Sequence, residues 1–121
     1  IGELASALGV DTHVLRHWED AGLLRPGRTA KGYRTYDREQ TMRAHVIRNC
    51  RRAGLGLPTI AALLDRHADD RVAVIDDELA NLHEQRSRLA RAALFLEHVQ
   101  SCRHSLMHRC PACSEYSGAG D

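Results

Sequence analysis

Between Asp70 and Gln100, the residues Val72, Ile75, Leu79, Leu82, Arg86, Leu89, Ala93, Leu96 and Gln100 follow one another at alternating steps of three and four, and seven of the nine are apolar. That spacing averages 3.5 residues, the period at which a helical stripe stays turned toward a neighbouring helix. No other feature constrains the fold as strongly. The stretch predicts one helix of about 31 residues, roughly 46 Å long at 1.5 Å per residue, whose stripe would lie in water if the helix stood alone. In a chain of 121 residues the remaining sequence offers too little apolar surface to cover it. The stripe therefore predicts a partner helix, most simply that of a second copy, joined through Val72, Ile75, Leu79, Leu82, Leu89, Ala93 and Leu96.

The residues ahead of this helix carry a different charge. Residues 1–67 hold eleven Lys and Arg against seven Asp and Glu, a net +4, whereas residues 68–121 hold six against nine, a net −3. The overall +1 conceals the division. A basic first half suits a polyanionic partner. With 43% apolar and 27% charged residues the chain is expected to fold, and with 4% aromatics its core must be mostly aliphatic.

The first half reads as short helices separated by glycine turns. "IGELASALGV" sets Ile1, Leu4, Ala5 and Leu8 on one helical stripe that Gly9 breaks. Asp11 is the expected N-cap of a second helix, 11–21, with Val10, Val14 and Trp18 on its packing face and His13, Arg16, His17 and Asp20 on another. Gly22 is placed to end that helix in the left-handed conformation, with Leu23 folding back. Two such helices have the layout of a helix-turn-helix, whose second helix enters a major groove. "LRPGRTAKGYRTY" then predicts a two-stranded ribbon turning around Thr29–Gly32, with Arg34 and Tyr36 on the face opposite Tyr33 and Thr35. Arg28, Lys31 and Arg34 cluster near its tip, which makes the ribbon a basic wing beside the second helix.

Asp37 and Gln40 have the spacing of a capping box and start a third helix that runs through Ala53, with Met42, Val46 and Cys50 along its inner stripe and Arg48, Arg51 and Arg52 at its end. Cys50 reads as a buried thiol. A fourth helix is expected from Leu57 to His67, with Pro58 in its first turn and Ile60, Leu63 and Leu64 facing inward.

These blocks carry a resemblance. "IGELASALGV", "LRHWEDAGLLRP", "KGYRTY" and "RRAGLGLPTIAALL" resemble, in order and spacing, the signature of MerR-type transcription regulators over residues 1–64. The resemblance implies a mainly α fold: a winged helix-turn-helix head (residues 1–67), a long dimerisation helix forming an antiparallel coiled coil (68–100), and a short Cys/His-rich tail (101–121). It also implies DNA contacts at Arg16, His17 and Trp18 on the second helix and at Arg28, Lys31, Arg34 and Tyr36 on the wing. The family usually has two aromatics after that first arginine, where this chain has His17 and Trp18, and often a serine where Gly56 stands. Members act as homodimers on pseudo-palindromic promoter operators, distorting the DNA so that RNA polymerase engages both promoter elements.

The tail, "SCRHSLMHRCPACSEYSGAGD", is where metal-sensing branches of that family carry a cysteine-bearing loop and a redox branch holds an iron–sulfur cluster. The seven residues between Cys102 and Cys110 resemble the copper-sensing loop, and Cys113 adds a C-x-x-C. Three thiolates and an imidazole from His104 or His108 would complete a tetrahedral zinc-like site, and two thiolates alone would suit monovalent copper. A four-cysteine iron–sulfur cluster fits less well, because the tail has only three cysteines. Zinc and mercury sensors of the family also draw a cysteine from the start of the partner's long helix, where this chain has His67, Asp69 and Asp70. A metal site, a thiol redox switch and an unliganded tail all stand open.

No run of eighteen apolar residues and no signal-peptide pattern is present, so the expected compartment is the cytoplasm, with no membrane partner and with thiols rather than structural disulfides. No nucleophile and base pairing recommends an enzyme. The expected function is a dimeric DNA-binding transcription regulator responding to a metal or redox signal at its tail. The alternative is a metal-binding or thiol redox protein whose helical head binds another protein.

Overall fold

The computed structural model describes residues 1–104 and 106–118. Two units divide the chain, Ile1–Asp76 and Asp77–Asp121. In the first, α1 (Gly2–Leu8) and α2 (Thr12–Asp20) are followed by an antiparallel ribbon of β1 (Gly27–Arg28) and β2 (Arg34–Thr35), then α3 (Arg38–Arg52), α4 (Leu57–Leu64) and the start of α5 (Arg71–Ser101). The second contains the rest of α5, a 3₁₀ turn (Met107–Arg109) and α6 (Pro111–Ser117).

The core of the first unit is aliphatic around one tryptophan. Leu8, Leu15, Leu24, Ile47 and Ile60 are sealed from solvent, and Trp18 is 3% exposed. The turn after α2 holds this arrangement in register. Gly22 adopts φ 78°, the left-handed conformation that a side chain would strain, and the Leu23 amide reaches back to the Trp18 carbonyl at 2.9 Å. This 6→1 bond closes a Schellman motif and buries Leu23.

In the ribbon Gly27 pairs with Thr35 and Arg28 with Arg34. A Cβ at Gly27 would lie 2.8 Å from Thr35 Oγ1, so a larger residue there would have to turn the Thr35 side chain aside. The expected alternation is present: Tyr33 and Thr35 are exposed, while Arg34 and Tyr36 are half-buried on the other face.

Helix α3 departs from the expected stripe. Asp37 caps it, accepting from the Gln40 amide at 2.8 Å. Gln40 does not return the bond to Asp37 as a capping box requires; its Oε1 accepts from the Arg25 amide at 2.7 Å. Met42 is 58% exposed and Cys50 only half-buried, whereas Ala44 and Ile47 are buried. At about 100° per residue these two lie across the helix from Met42 and Val46. The inward face escaped the apolar pattern because arginines flank it and act as donors to neighbouring carbonyls. Arg43 donates to Leu23 O at 3.2 and 3.1 Å, and Arg48 to Leu8 O at 3.1 Å. Arg51 donates to Leu55 O at 2.9 Å. These acceptors follow helix ends or turns, where carbonyls lack helical partners.

Helix α4 stops at Leu64 rather than His67. Asp65 is extended, and its carboxylate accepts from the His67 amide at 3.0 Å, a local turn that competes with another helical turn. Ile60 and Ala62 are buried, while Leu63 and Leu64 are half-buried.

Helix α5 has the predicted length of 31 residues and no buried residue. Along its stripe Val72 is 70% exposed, Leu79 47%, Leu89 70% and Leu96 63%, with Ile75 and Leu82 half-buried and Ala93 exposed. Helix α6 was not predicted. Its signals are Pro111 in the first turn and Gly118 at the C-terminal cap.

Candidate nucleic-acid interface and metal centre

Helix α2 and the ribbon assemble a cationic surface in the first unit. Arg16 and His17 are exposed on α2, as are Arg28 and Lys31 on the wing. Arg28 also reaches the Gly32 carbonyl at 3.3 Å across the ribbon's turn. Trp18, which the family resemblance offers as a third contact on α2, belongs to the core and has almost no surface to offer a duplex. The reason is periodicity: Leu15 and Trp18, three residues apart, share the inward face, which leaves Arg16 and His17 outside.

Arg34 lies between the wing and α2. Its Nε donates to Glu19 Oε2 at 2.7 Å, with side-chain exposures of 24% and 13%. The pair ties β2 to α2 and so sets the angle between the two cationic elements. Tyr36 is beside it; its hydroxyl is buried with no hydrogen-bond partner among the described residues. Burial, then the Glu19 charge, pushes its ionisation up, against the opposing influence of Arg34, Arg28 and Arg16.

Removing Glu19 leaves the Arg34 guanidinium half-buried without its anion. Allowing for partial solvation, Glu19→Ala is expected to lower stability by about 1–2 kcal/mol, less than the 3–5 kcal/mol for a fully buried pair. Urea denaturation of Glu19→Ala, Arg34→Ala and the double variant checks this, since a tie of this kind shows a coupling energy of at least about 0.5 kcal/mol. Additive losses would mean the two side chains are not linked.

The second unit draws together a different group. One ligand atom each from His98, Cys102, Cys110 and Cys113 lies within 4.8 Å of all the others. The local structure explains the convergence. His98 and Cys102 are one helical turn apart, and the Cys102 amide still donates to the His98 carbonyl at 2.9 Å, so both project from the same face at the end of α5. Cys110 is the N-cap of α6 and Cys113 stands in its first turn. Phe95 and Tyr116 stack at 4.2 Å between centroids with planes 8° apart, holding α6 beside α5.

His98 Nε2 is 3.1 Å from Cys110 Sγ. Cys110 and Cys113 are buried, while His98 and Cys102 are half-buried. His104 approaches only Cys102, Nδ1 to Sγ at 3.6 Å, and His108 is exposed on the 3₁₀ turn. The sequence reading thus anticipated the three cysteines that converge, but it overlooked His98. A histidine inside a 31-residue helix gave no local signal; the i, i+4 relation to Cys102 was the available clue.

The thiols share the space unequally. A backbone hydrogen bond from Cys113 holds the Cys110 thiol down at about 6, against burial, with further lowering by His98, Cys102 and Cys113 side chains. Burial pushes Cys113 up to about 11, and hydrogen bonding and charge from Cys110 and Cys102 add to it. One thiolate forms readily here, and a second beside it resists ionising. A cation among the sulfurs removes that conflict by favouring every thiolate at once. The group is thus able to hold a metal ion.

Comparison with known proteins places the fold in a family. Residues 1–67 match the family described as "MerR HTH family regulatory protein", and residues 41–99 match "MerR, DNA binding". The nodulation protein NolA of Bradyrhizobium sp. (strain NC92) is 37% identical over 102 residues, which are 84% of this chain and 41% of that protein. The chain thus spans less than half the length of that relative. The regulator HmrR of Sinorhizobium medicae (strain WSM419) is 30% identical over 128 aligned residues, covering 99% of this chain and 87% of that one. Among solved structures, PbrR691 from Ralstonia metallidurans CH34, a transcription regulator in complex with lead(II), superposes with a TM-score of 0.53 at 26% identity, covering 95% of this chain and 96% of that one. The winged head, the long helix and these matches establish the chain as a member of the MerR family of helix-turn-helix regulatory proteins.

Proposed function

We propose that this protein is a homodimeric transcription regulator that binds a pseudo-palindromic promoter operator and distorts it for RNA polymerase. The observation that carries the reading is the exposed Arg16–His17 face of α2, set beside the cationic wing by the Glu19–Arg34 pair. In such a complex α2 enters a major groove while Arg28 and Lys31 grip the flanking phosphates. Its family is one of regulators rather than enzymes.

Magnitude argues for two heads. One DNA-binding module covers about 600–1,000 Å² of protein surface, whereas specific protein–DNA interfaces reach about 1,000–2,500 Å². Bending a site costs on the order of 1–6 kcal/mol, which the contacts of two heads can offset. The uncovered stripe of α5 supports the pairing, because Val72, Leu79, Leu89 and Leu96 are large apolar side chains left in solvent by the single chain. No helix among the described residues is long and apolar enough to cross a membrane, and the proposed place of action is the cytoplasm.

The tail cluster is the proposed effector site, occupied by a metal ion. The four converging donors support this reading, as does the lead(II) bound by PbrR691.

The experiment replaces Arg16 and Arg28 with alanine. Arg34 is left intact because its loss would also loosen the wing. Against an operator selected by the wild-type protein from a random DNA pool, Arg16→Ala is expected to weaken binding by about 1–3 kcal/mol, as for a base-contacting arginine. Arg28→Ala should weaken all sequences alike and reduce the log–log salt slope by roughly 0.9. Metal content should be unchanged in both. Undiminished operator binding in the double variant would favour the other reading, a metal or thiol redox protein whose head docks a protein.

A further inference from the structure

We infer that His98 is the fourth ligand of a closed three-sulfur, one-nitrogen site built entirely within one chain, and that its ion is a tetrahedral divalent metal of the zinc type rather than two-coordinate monovalent copper. The inference rests on the tail being a metal site and assigns its ligands and metal class.

The geometry supplies the argument. Among the described residues His98 is the one histidine whose ring nitrogen joins all three tail sulfurs within 4.8 Å, and that nitrogen stands 3.1 Å from Cys110 Sγ. A tetrahedral zinc ion with bonds of about 2.3 Å to sulfur and about 2.0 Å to nitrogen separates its ligand atoms by about 3.4–3.8 Å. No pair of the four donors is more than 4.8 Å apart, so none exceeds that spacing by much more than about 1 Å. The backbone supports are rigid ones: the last turns of a 31-residue helix on one side and the first turn of α6 on the other.

Ligand chemistry excludes the simpler ion. Monovalent copper prefers two soft thiolates. If it took Cys102 and Cys110, it would leave the Cys113 thiol and the His98 ring in the same group with no role, although Cys113 is buried against them. A borderline divalent ion uses all four donors and leaves no open position, as in closed zinc sites. With no acidic ligand present, hard cations such as magnesium and calcium are disfavoured.

A self-contained site has a mechanical consequence. The ion joins the end of α5 to the start of α6, so α6 is pinned beside the long helix without a ligand from a second chain. His104 and His108 stay outside it.

Cobalt(II) titration of the full-length reduced protein under anaerobic conditions provides the test, because tetrahedral thiolate ligation gives intense visible bands. The expected result is one cobalt per chain, displaced by zinc. His98→Gln should change the visible bands and weaken zinc binding by about 10–100-fold or more, since even ligand-supporting residues contribute that much. His104→Ala and His108→Ala should retain both the bands and the affinity. Circular dichroism of His98→Gln should show α5 intact.

Wild-type bands and zinc affinity in His98→Gln would overturn the assignment. Loss of binding in Cys110→Ser with none in His98→Gln would keep a metal site and remove only its imidazole. Copper(I) binding that survives both His98→Gln and Cys113→Ser, in a chain that takes no cobalt, would overturn the metal class. A wild-type chain that binds neither ion but still binds DNA would overturn the metal reading itself and leave the head's function standing.

Discussion

A chain carrying Leu82→Glu and Leu89→Glu is expected to sediment as a monomer at micromolar concentration and to lose operator affinity by roughly 10²–10⁴-fold. That range is the avidity gained when two linked modules engage together. The two leucines lie in the middle of the α5 stripe, where Leu89 is 70% exposed and Leu82 half-buried in the single chain. Burying a leucine side chain contributes about 1.5–3 kcal/mol, and a symmetric pair of chains loses each contribution twice. Carboxylates placed in the seam add like-charge repulsion and a desolvation cost. The head keeps its own core, since neither residue belongs to it, so circular dichroism should show the helices retained. Analytical ultracentrifugation and operator titration on the same samples check the two halves. A double variant that stayed dimeric would show that the stripe is not the seam, and a wild-type monomer would remove the basis for two-headed binding.

Changing Cys110 and Cys113 to serine together should abolish metal binding, reducing the ion content of anaerobically purified protein from about one per chain to background. Closed cysteine and histidine sites contribute apparent binding energies of about 10–16 kcal/mol at pH 7, and this change removes half of the converging donors. Serine retains the size but forms no thiolate, so the shared pocket loses the charge that a cation compensates. Zinc-dependent protection of α6 against proteolysis should vanish with the metal. Operator binding by the metal-free protein should persist, because the cationic face of the head lies in the other unit. Metal retained at one ion per chain in the doubly substituted protein would show that Cys102 and the histidines bind it elsewhere.

The same chain shows where a sequence pattern suffices and where it does not. The positions of α1, α2 and the ribbon were legible because each is written locally. Apolar residues recur at helical spacing, glycine stands where the backbone must turn left-handed, and β-forming residues follow the ribbon's glycine turn. The 31-residue length of α5 was legible for the same reason. The inward face of α3 was not. Its burial of Ala44 and Ile47 depends on Arg43, Arg48 and Arg51 finding carbonyls that belong to other elements, and an arginine count cannot distinguish such donors from solvated ones. Gln40 illustrates the point in miniature: its spacing from Asp37 suggested a reciprocal cap, yet its side chain serves Arg25.

At the candidate metal centre the three cysteines stand out in any reading of the tail, but the choice of imidazole does not. His104 and His108 are nearer in sequence to Cys110, whereas His98 reaches it because the chain after Ser101 reverses and α6 returns beside α5. Sequence by itself determined the elements whose causes lie within a few residues: caps, turns, helical period and the supply of soft ligands. Tertiary structure decided which of those ligands converge and which arginines are taken up by carbonyls of other elements. Those outcomes depend on distances between segments far apart in the chain, and no local spacing records them.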